Sequence, residues 1–236
     1  MSLGHSPSIV TSGLQLCLDA ANSKSYPGTG TTWTDLSGNG NNNTLTNGPT
    51  YSSSNNGSIV FDGTNDYVTR AASINTGQNF TVSVWANPTS VGTTRRCAIA
   101  NGQNQTTDKG WYFSIGQGGG TNRFFLSIGT DQAYAISADN IVVPGVWQNF
   151  TGTVANGGST INLYYNGTLV SNSSTISSSR TIDYSISTFY IGRRDLSSPA
   201  ADYLTGNISQ ISIYNAVLTE NQIEQNFNAL RGRYSI

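Results

Sequence analysis

Charge is scarce in this sequence. Only 10% of its 236 residues are Asp, Glu, Lys or Arg, against roughly 25% in an average soluble domain. There are two lysines, two glutamates and one histidine. Coiled coils and helical bundles need helices rich in Ala, Glu, Lys, Leu and Arg, so both are excluded. A net charge of −1 and a pI near 5.7 leave no basic surface for phosphate contacts, which excludes nucleic acid as the expected partner. No apolar run approaches the roughly 18 residues that mark a membrane span, so no membrane insertion is expected. Met1-Ser2-Leu3-Gly4-His5-Ser6-Pro7 has neither the basic nor the apolar stretch of a secretory signal. The expectation is synthesis in a reducing cytoplasm, with Cys17 and Cys97 as free thiols in strands.

The groups that catalysis needs are equally thin. The one histidine, His5, precludes any nucleophile paired with a well-placed imidazole, and any multi-histidine metal site. Gly116-Gln117-Gly118-Gly119-Gly120-Thr121 lacks the last glycine of a dinucleotide-binding loop and has no βαβ unit around it. Glycoside hydrolysis needs only two carboxylates roughly 5–10 Å apart. However, Glu220 and Glu224 share a C-terminal helix, and the ten aspartates are scattered through turns. No strand carries two acids at alternate positions.

What the chain does contain is turn chemistry and aromatics. Gly, Asn, Ser and Thr make up 111 of the 236 residues, yet Tyr, Phe and Trp number 12, 8 and 4. The aromatics and β-branched residues fall in short alternating runs, which a disordered chain lacks. Residues 1–12 lack periodicity and read as an extended arm before a single domain over 13–236. Leu14, Leu16 and Leu18 share one face of a strand. Residues 20–57 read as a long polar connection. Further strands are expected at Ser58–Phe61, Tyr67–Thr69, Phe80–Ala86, Trp111–Ile115, Arg123–Ile128, Ala133–Ile136, Trp147–Val154, Ile161–Val170, Phe189–Ile191 and Ile208–Tyr214. Asn166-Gly167 is a hairpin signal, because a type I′ turn needs positive φ twice. This spacing indicates a β-sandwich. One helix is expected after Thr219, with Gln222 completing a capping box and Leu218 and Ile223 a hydrophobic staple. Its apolar stripe is Ile223, Phe227 and Leu230, and Gly232 ends it.

Two sets of residues are candidates for binding. Asp62-Gly63-Thr64-Asn65-Asp66 offers oxygens suited to Ca²⁺, against the plainer reading of an Asp/Asn/Gly turn closing a hairpin. Aromatics in polar loops offer flat apolar faces beside hydrogen-bonding groups, which suits sugars. Tyr26, Trp33, Trp111, Tyr112 and Tyr203 qualify, and Arg193 adds a guanidinium fork for an anionic sugar. Trp85 and Trp147 lie in apolar strands and are assigned to the core.

Several ordered segments carry a family resemblance. They are Gly13-Leu14-Gln15-Leu16-Cys17-Leu18-Asp19-Ala20, Trp33-Thr34-Asp35-Leu36-Ser37-Gly38-Asn39-Gly40-Asn41 and Phe61-Asp62-Gly63-Thr64-Asn65-Asp66-Tyr67-Val68. Phe80-Thr81-Val82-Ser83-Val84-Trp85, Leu163-Tyr164-Tyr165-Asn166-Gly167 and the stretch Gly206 to Thr219 follow. Together they resemble the laminin G-like domains of the concanavalin A-like lectin/glucanase superfamily. The resemblance implies an all-β jelly-roll sandwich of two antiparallel sheets with one short C-terminal helix. It implies Ca²⁺ as a cofactor held by Asp62 and Asp66, and glycans or proteins as partners. The Glu-x-Asp-x-x-Glu strand of the superfamily's hydrolases is absent here. Residues 13–49 are further similar to laminin G-like proteins encoded by tailed bacteriophages. What this implies is a non-enzymatic virion structural protein, a capsid-decoration or tail-accessory protein on the virion surface, made in the bacterial host cytoplasm. It would hold other virion proteins through residues 1–12 and present an adhesion domain to host-surface glycan. The alternatives are a free carbohydrate-binding lectin and a polysaccharide hydrolase.

Overall fold

The computed structural model describes residues 7–90, 93–104, 108–116, 121–129, 131–171, 175–176, 181–194 and 202–236. In chain order the strands begin with β1 (Leu14–Asp19), β2 (Thr32–Trp33), β3 (Asn43–Thr46), β4 (Thr50–Ser52), β5 (Ser58–Asp62) and β6 (Tyr67–Arg70). Next come β7 (Phe80–Pro88), β8 (Arg96–Asn104), β9 (Lys109–Ile115), β10 (Phe124–Ile128), β11 (Ala133–Ile136) and β12 (Gln148–Ala155). Strands β13 (Thr160–Tyr165), β14 (Thr168–Ser171), β15 (Thr175–Ile176), β16 (Phe189–Ile191) and β17 (Thr205–Tyr214) precede helix α1 (Glu220–Leu230).

All pairings among these strands are antiparallel and they build two sheets. One has eight strands in the order β14-β13-β12-β7-β17-β5-β4, with β1 on the C-terminal half of β17. The other has nine, in the order β15-β11-β10-β9-β8-β16-β6-β3-β2. This is the expected sandwich. Its core lies between the sheets, and strand register shows how it is filled. One row runs Leu45, Val68, Ile191, Ile99, Phe113, Leu126, Ala135 straight across seven strands of the nine-stranded sheet, and every member is buried in the main core. Phe80, Val82, Val84 and Ala86 of β7 meet it from the other sheet. Period-two alternation then puts the intervening residues on the outer faces.

The outer face of the eight-stranded sheet is covered by α1. Thr219 caps the helix: its hydroxyl accepts from the Gln222 N–H at 3.3 Å, and the Gln222 side chain accepts from the Thr219 N–H at 3.0 Å. Ile223 and Leu230 are buried and Phe227 half-buried. Each fully buried member stabilises by about 1.5–3 kcal/mol as an upper bound. Trp85 and Trp147, expected in the core, are buried in a second core cluster with Leu230 and Tyr234, between this outer face and α1. The Trp85 ring stacks on Phe227 at 5.5 Å and on Tyr234 at 4.3 Å. Residues 8–10 do not extend away from the domain. The Val10 N–H donates to Asn226 Oδ1 at 2.7 Å, the Tyr214 hydroxyl donates to the Val10 carbonyl at 3.0 Å, and the Gln225 amide donates to the Ser8 carbonyl at 2.7 Å. Residues 1–6 of the arm lie outside the described residues.

Three expectations need correction. First, residues 20–57 are not a plain connection, since β2, β3 and β4 occupy parts of them; two to four residues rich in Thr and Asn are too short to show a period. Second, β8 lies where no strand was expected. Its Ala98 and Ile99 face the core while Cys97 and Ala100 face a second apolar cluster, so both faces are covered and no alternation is visible. Third, the Asp62–Asp66 turn does not close a hairpin. Strand β5 pairs with β4 and β17 in one sheet, whereas β6 pairs with β3 and β16 in the other. The turn is a corner between sheets. Gly63 makes it possible, with φ of +77° and a hypothetical Cβ only 2.0 Å from Thr205 Oγ1.

The cysteines are both free and buried. Cys17 pairs with Ser212 on the eight-stranded sheet, and Cys97 belongs to the outer cluster of the nine-stranded one. They lie on separate sheets with the core between them.

Candidate functional site

The outer face of the nine-stranded sheet divides into two halves. Toward β11 it carries an apolar cluster of Cys97, Ala100, Tyr112 and Phe125, with Tyr134, Ile136 and Tyr190 at its margin. Charged groups seal this half. The Arg194 guanidinium lies 4.5 Å from the Tyr112 ring centre, and that of Arg95 lies 5.2 Å from it. Arg194 is buried and ion-paired to Asp202 at 2.9 Å. Arg95 donates to the Tyr112 hydroxyl at 2.7 Å and reaches Asp131 at 3.4 Å, and the Tyr112 hydroxyl donates to Asp131. Burial pushes the Tyr112 phenol far above its ordinary pKa, and burial likewise raises Asp202 against the opposing pull of Arg194.

Toward β2 the described residues of this face are less buried, Thr32 and Thr44 being exposed and Thr69 half-buried. Arg193, next to the buried Arg194, lies with its guanidinium carbon 4.7 Å from the Tyr67 ring centre, 4.8 Å from that of Tyr190 and 5.7 Å from that of Tyr203. All four side chains are half-buried. Each such contact is worth about 0.5–1 kcal/mol at an exposed site. Gly192 shapes the approach: its φ is +82°, and a Cβ there would sit 2.6 Å from the Phe61 ring. The chain therefore turns sharply at the end of β16, which carries Arg193 out over the tyrosines. The result is a patch with three phenol rims and a guanidinium, chemistry that offers flat apolar area beside hydrogen-bond donors.

Of the residues singled out from sequence for sugar contact, Arg193 and Tyr203 are in this patch. The other four are corrected to structural roles. Trp33 and Trp111 are fully buried in the core, Trp111 stacking on Phe80 across the two sheets at 4.8 Å. Tyr26 is buried against Tyr51 at 5.5 Å, and its hydroxyl donates to the Gly30 carbonyl at 2.7 Å. Tyr112 lies beneath the two arginines. Tyr67 and Tyr190 were missed. Both stood in recognised strands, but alternation alone does not say whether a strand residue faces the core or the outside.

Asp62 and Asp66 serve as caps of the corner. Asp62 Oδ1 accepts from the Thr64 N–H at 2.7 Å and the Asn65 N–H at 3.3 Å, and Asp66 Oδ2 accepts from the Asp62 N–H at 3.0 Å. Backbone hydrogen bonds, that of Thr64 foremost, hold the Asp62 carboxyl below its usual value; burial raises that of Asp66. Ca²⁺ takes six to eight oxygens, and among the described residues no three acidic, histidine or cysteine side chains gather. The other acids are engaged elsewhere: Asp19 accepts from Arg233 at 2.8 Å through both oxygens, Asp35 caps a loop, and Asp202 pairs with Arg194. The turn as built fits a backbone cap and falls short of a calcium cage.

A family model, Laminin_G_3 of the Concanavalin A-like lectin/glucanases superfamily, matches residues 62–224. The chain belongs to this family. Solved structures agree on the fold of this laminin G-like domain. Domain 4 of AbnA, a GH43 extracellular arabinanase from Geobacillus stearothermophilus, in complex with arabinotriose, is similar at TM-score 0.68 and 17% identity, over 90% of this chain and 97% of that one. The binding domain of Paraclostridial Mosquitocidal Protein 1 is similar at TM-score 0.66 and 19% identity, over 92% of this chain. The botulinum neurotoxin serotype D ligand binding domain, in complex with N-acetylneuraminic acid, is similar at 0.67 and 15% identity, also over 92%. The laminin G-like domain spans about half of each toxin chain, 52% and 51%. Comparison with curated protein sequences returned no match. No helix among the described residues is long and apolar enough to cross a membrane.

Proposed function

We propose that this laminin G-like domain is a non-catalytic, lectin-type module that binds glycan through the half of its nine-stranded sheet toward β2. The observation that carries this is the placement of Tyr67, Tyr190 and Tyr203 around Arg193 at the surface, 4.7–5.7 Å from guanidinium carbon to ring centres. The scarcity of acids supports the non-catalytic reading: both glutamates sit on α1, which packs on the other sheet. The glycans named with two of the similar structures are compatible with it. A glycan array is the test. Hits that disappear with Tyr190→Ala, at an unchanged melting temperature, would support the proposal; an array without hits would overturn it.

The finer reading places the module on a tailed-bacteriophage particle, as a capsid-decoration or tail-accessory protein that attaches to other virion proteins and adheres to host-surface glycan. It is supported by the likeness of residues 13–49 to such proteins. Residues 8–10 are part of the domain's own packing, so residues 2–6 are the segment to delete. Loss of incorporation into particles with folding intact would favour the virion reading. Unchanged incorporation would exclude attachment through this segment, and absence of the intact protein from particles would favour a free lectin.

A further inference from the structure

Six Asn-Gly pairs occur in the sequence, at Asn39, Asn47, Asn56, Asn101, Asn156 and Asn166. A glycine after asparagine leaves the next backbone nitrogen unshielded by a side chain and free to turn toward the asparagine Cγ. The fold restrains five of these pairs. Asn101 is fully buried, its amide is bonded to the Ile74 N–H at 2.8 Å and the Ile74 carbonyl at 2.7 Å, and the Gly102 N–H donates to the Thr188 carbonyl. The Gly57 and Gly157 N–H groups donate to the Ser54 and Gln78 carbonyls, at 3.1 and 2.9 Å. Asn166 Oδ1 accepts from the Asn149 N–H at 2.9 Å, and a Cβ on Gly167 would lie 3.2 Å from the Phe227 ring. Asn39 is exposed, but its amide donates to the Leu14 carbonyl at 3.0 Å, the Gln15 carbonyl at 3.3 Å and Ser37 Oγ at 3.0 Å.

Asn47-Gly48 is held least of the six. Both residues are exposed. The Asn47 amide makes one long bond, to the Asn65 carbonyl at 3.3 Å, and the Gly48 N–H has no hydrogen-bond partner among the described residues. The pair lies in the short passage from β3 to β4, and so from the nine-stranded sheet to the eight-stranded one. It stands beside the Asp62–Asp66 corner, where the chain crosses between the same two sheets again. Asp66 Oδ1 comes within 3.5 Å of the place a Gly48 Cβ would take.

We infer that Asn47-Gly48 is a site of spontaneous deamidation that loosens the junction between the two sheets. The Gly48 nitrogen attacks Asn47 Cγ, and the Cγ–Nδ2 bond breaks. Ammonia leaves with the Gly48 proton and a cyclic imide closes. Water then opens the ring to aspartate or isoaspartate, so the conversion needs no oxidant, cofactor or second protein. The product puts a carboxylate where an amide donor faced the Asn65 carbonyl, next to the carboxylate of Asp66. In the isoaspartate form the backbone between the sheets is also one carbon longer. The test is incubation of the whole folded protein in mildly alkaline buffer, followed by peptide mapping with mass spectrometry and enzymatic methylation of isoaspartate. A parallel sample in urea gives the rates of the unfolded chain. Asn47 is expected to convert about tenfold faster than the other five in the folded protein, because each of those must first open locally, whereas in urea all six should convert at similar rates. Melting temperature is expected to fall with conversion by about 2–4 °C, the shift that loss of one hydrogen bond produces in a domain of this size. It should stay constant in Asn47→Gly, which tolerates the φ of +65° and has no amide to lose. Faster conversion at Asn39 or at any other pair, equal rates at all six in the folded protein, or an intact Asn47 when the unfolded chain has converted would overturn the site. A melting temperature unmoved by full conversion would overturn its effect on the junction.

Discussion

Replacing Asp35 by Ala removes one carboxylate that holds three separate pieces of chain. Asp35 Oδ1 accepts from the Cys17 N–H at 2.9 Å and the Ser37 N–H at 2.9 Å. Its Oδ2 accepts from the Ser37 hydroxyl at 2.7 Å and the Asn41 N–H at 3.0 Å. Asp35 and Cys17 are both buried, so water does not simply replace the lost partner. A hydrogen bond to a charged group contributes about 1.5–3 kcal/mol, and a buried donor left alone costs about 1–3 kcal/mol. The four bonds are coupled and do not add in full. Asp35→Ala should therefore lower unfolding free energy by about 3–5 kcal/mol, at the upper end of single substitutions. Asp35→Asn keeps one acceptor oxygen for Cys17 and should cost about half as much; Ser37→Ala should cost about 1 kcal/mol. Urea unfolding followed by tryptophan fluorescence measures all three. A loss below about 1 kcal/mol for Asp35→Ala, or equal losses for the Ala and Asn variants, would refute the reasoning.

Trp33→Ala and Trp111→Ala should each cost about 3–5 kcal/mol in urea unfolding, because both rings are buried in the core; folded protein should keep its glycan affinity, and a stable variant without affinity would return these residues to the binding site. Asp62, Asp139 and Asp183 are held below the usual carboxylate pKa, first by the Thr64 backbone, the Arg123 side chain and the Ser185 backbone respectively. Their folded values lie below the unfolded one, so their support is present above about pH 4 and lost as pH falls through the lowered values. Melting temperature should accordingly fall below pH 4, and less steeply in Asp62→Asn. Calcium at millimolar concentration, or EDTA, should leave the melting temperature unchanged; a rise of several degrees with calcium would show that the Asp62–Asp66 corner recruits further oxygens. Burial pushes the Cys17 thiol up to about 11 and Cys97 higher still, so a thiol reagent should react with neither until the protein unfolds.

Local interactions were legible without a structure. The capping box of Thr219 and Gln222 and the Asn166-Gly167 turn, with φ of 48° and 79°, each depend on residues a few positions apart. Runs such as Phe80–Ala86 announced strands because one face must be apolar. Their number and spacing were enough for a sandwich, and the want of Glu, Lys and His spoke against catalysis before any coordinate was known. Tertiary structure alone decided which aromatics meet a ligand. Alternation separates two faces of a strand without naming the inner one, and here both outer faces are partly covered, by α1 on one sheet and by arginines on the other. Trp33 and Trp111 thus became core while Tyr67 and Tyr190 reached the surface. The patch also joins residues 67, 190, 193 and 203, brought together by the β6–β16 pairing and by a corner that sends β5 and β6 to different sheets. No sequence period spans that distance, because contacts between strands are set by which hydrophobic faces close on each other.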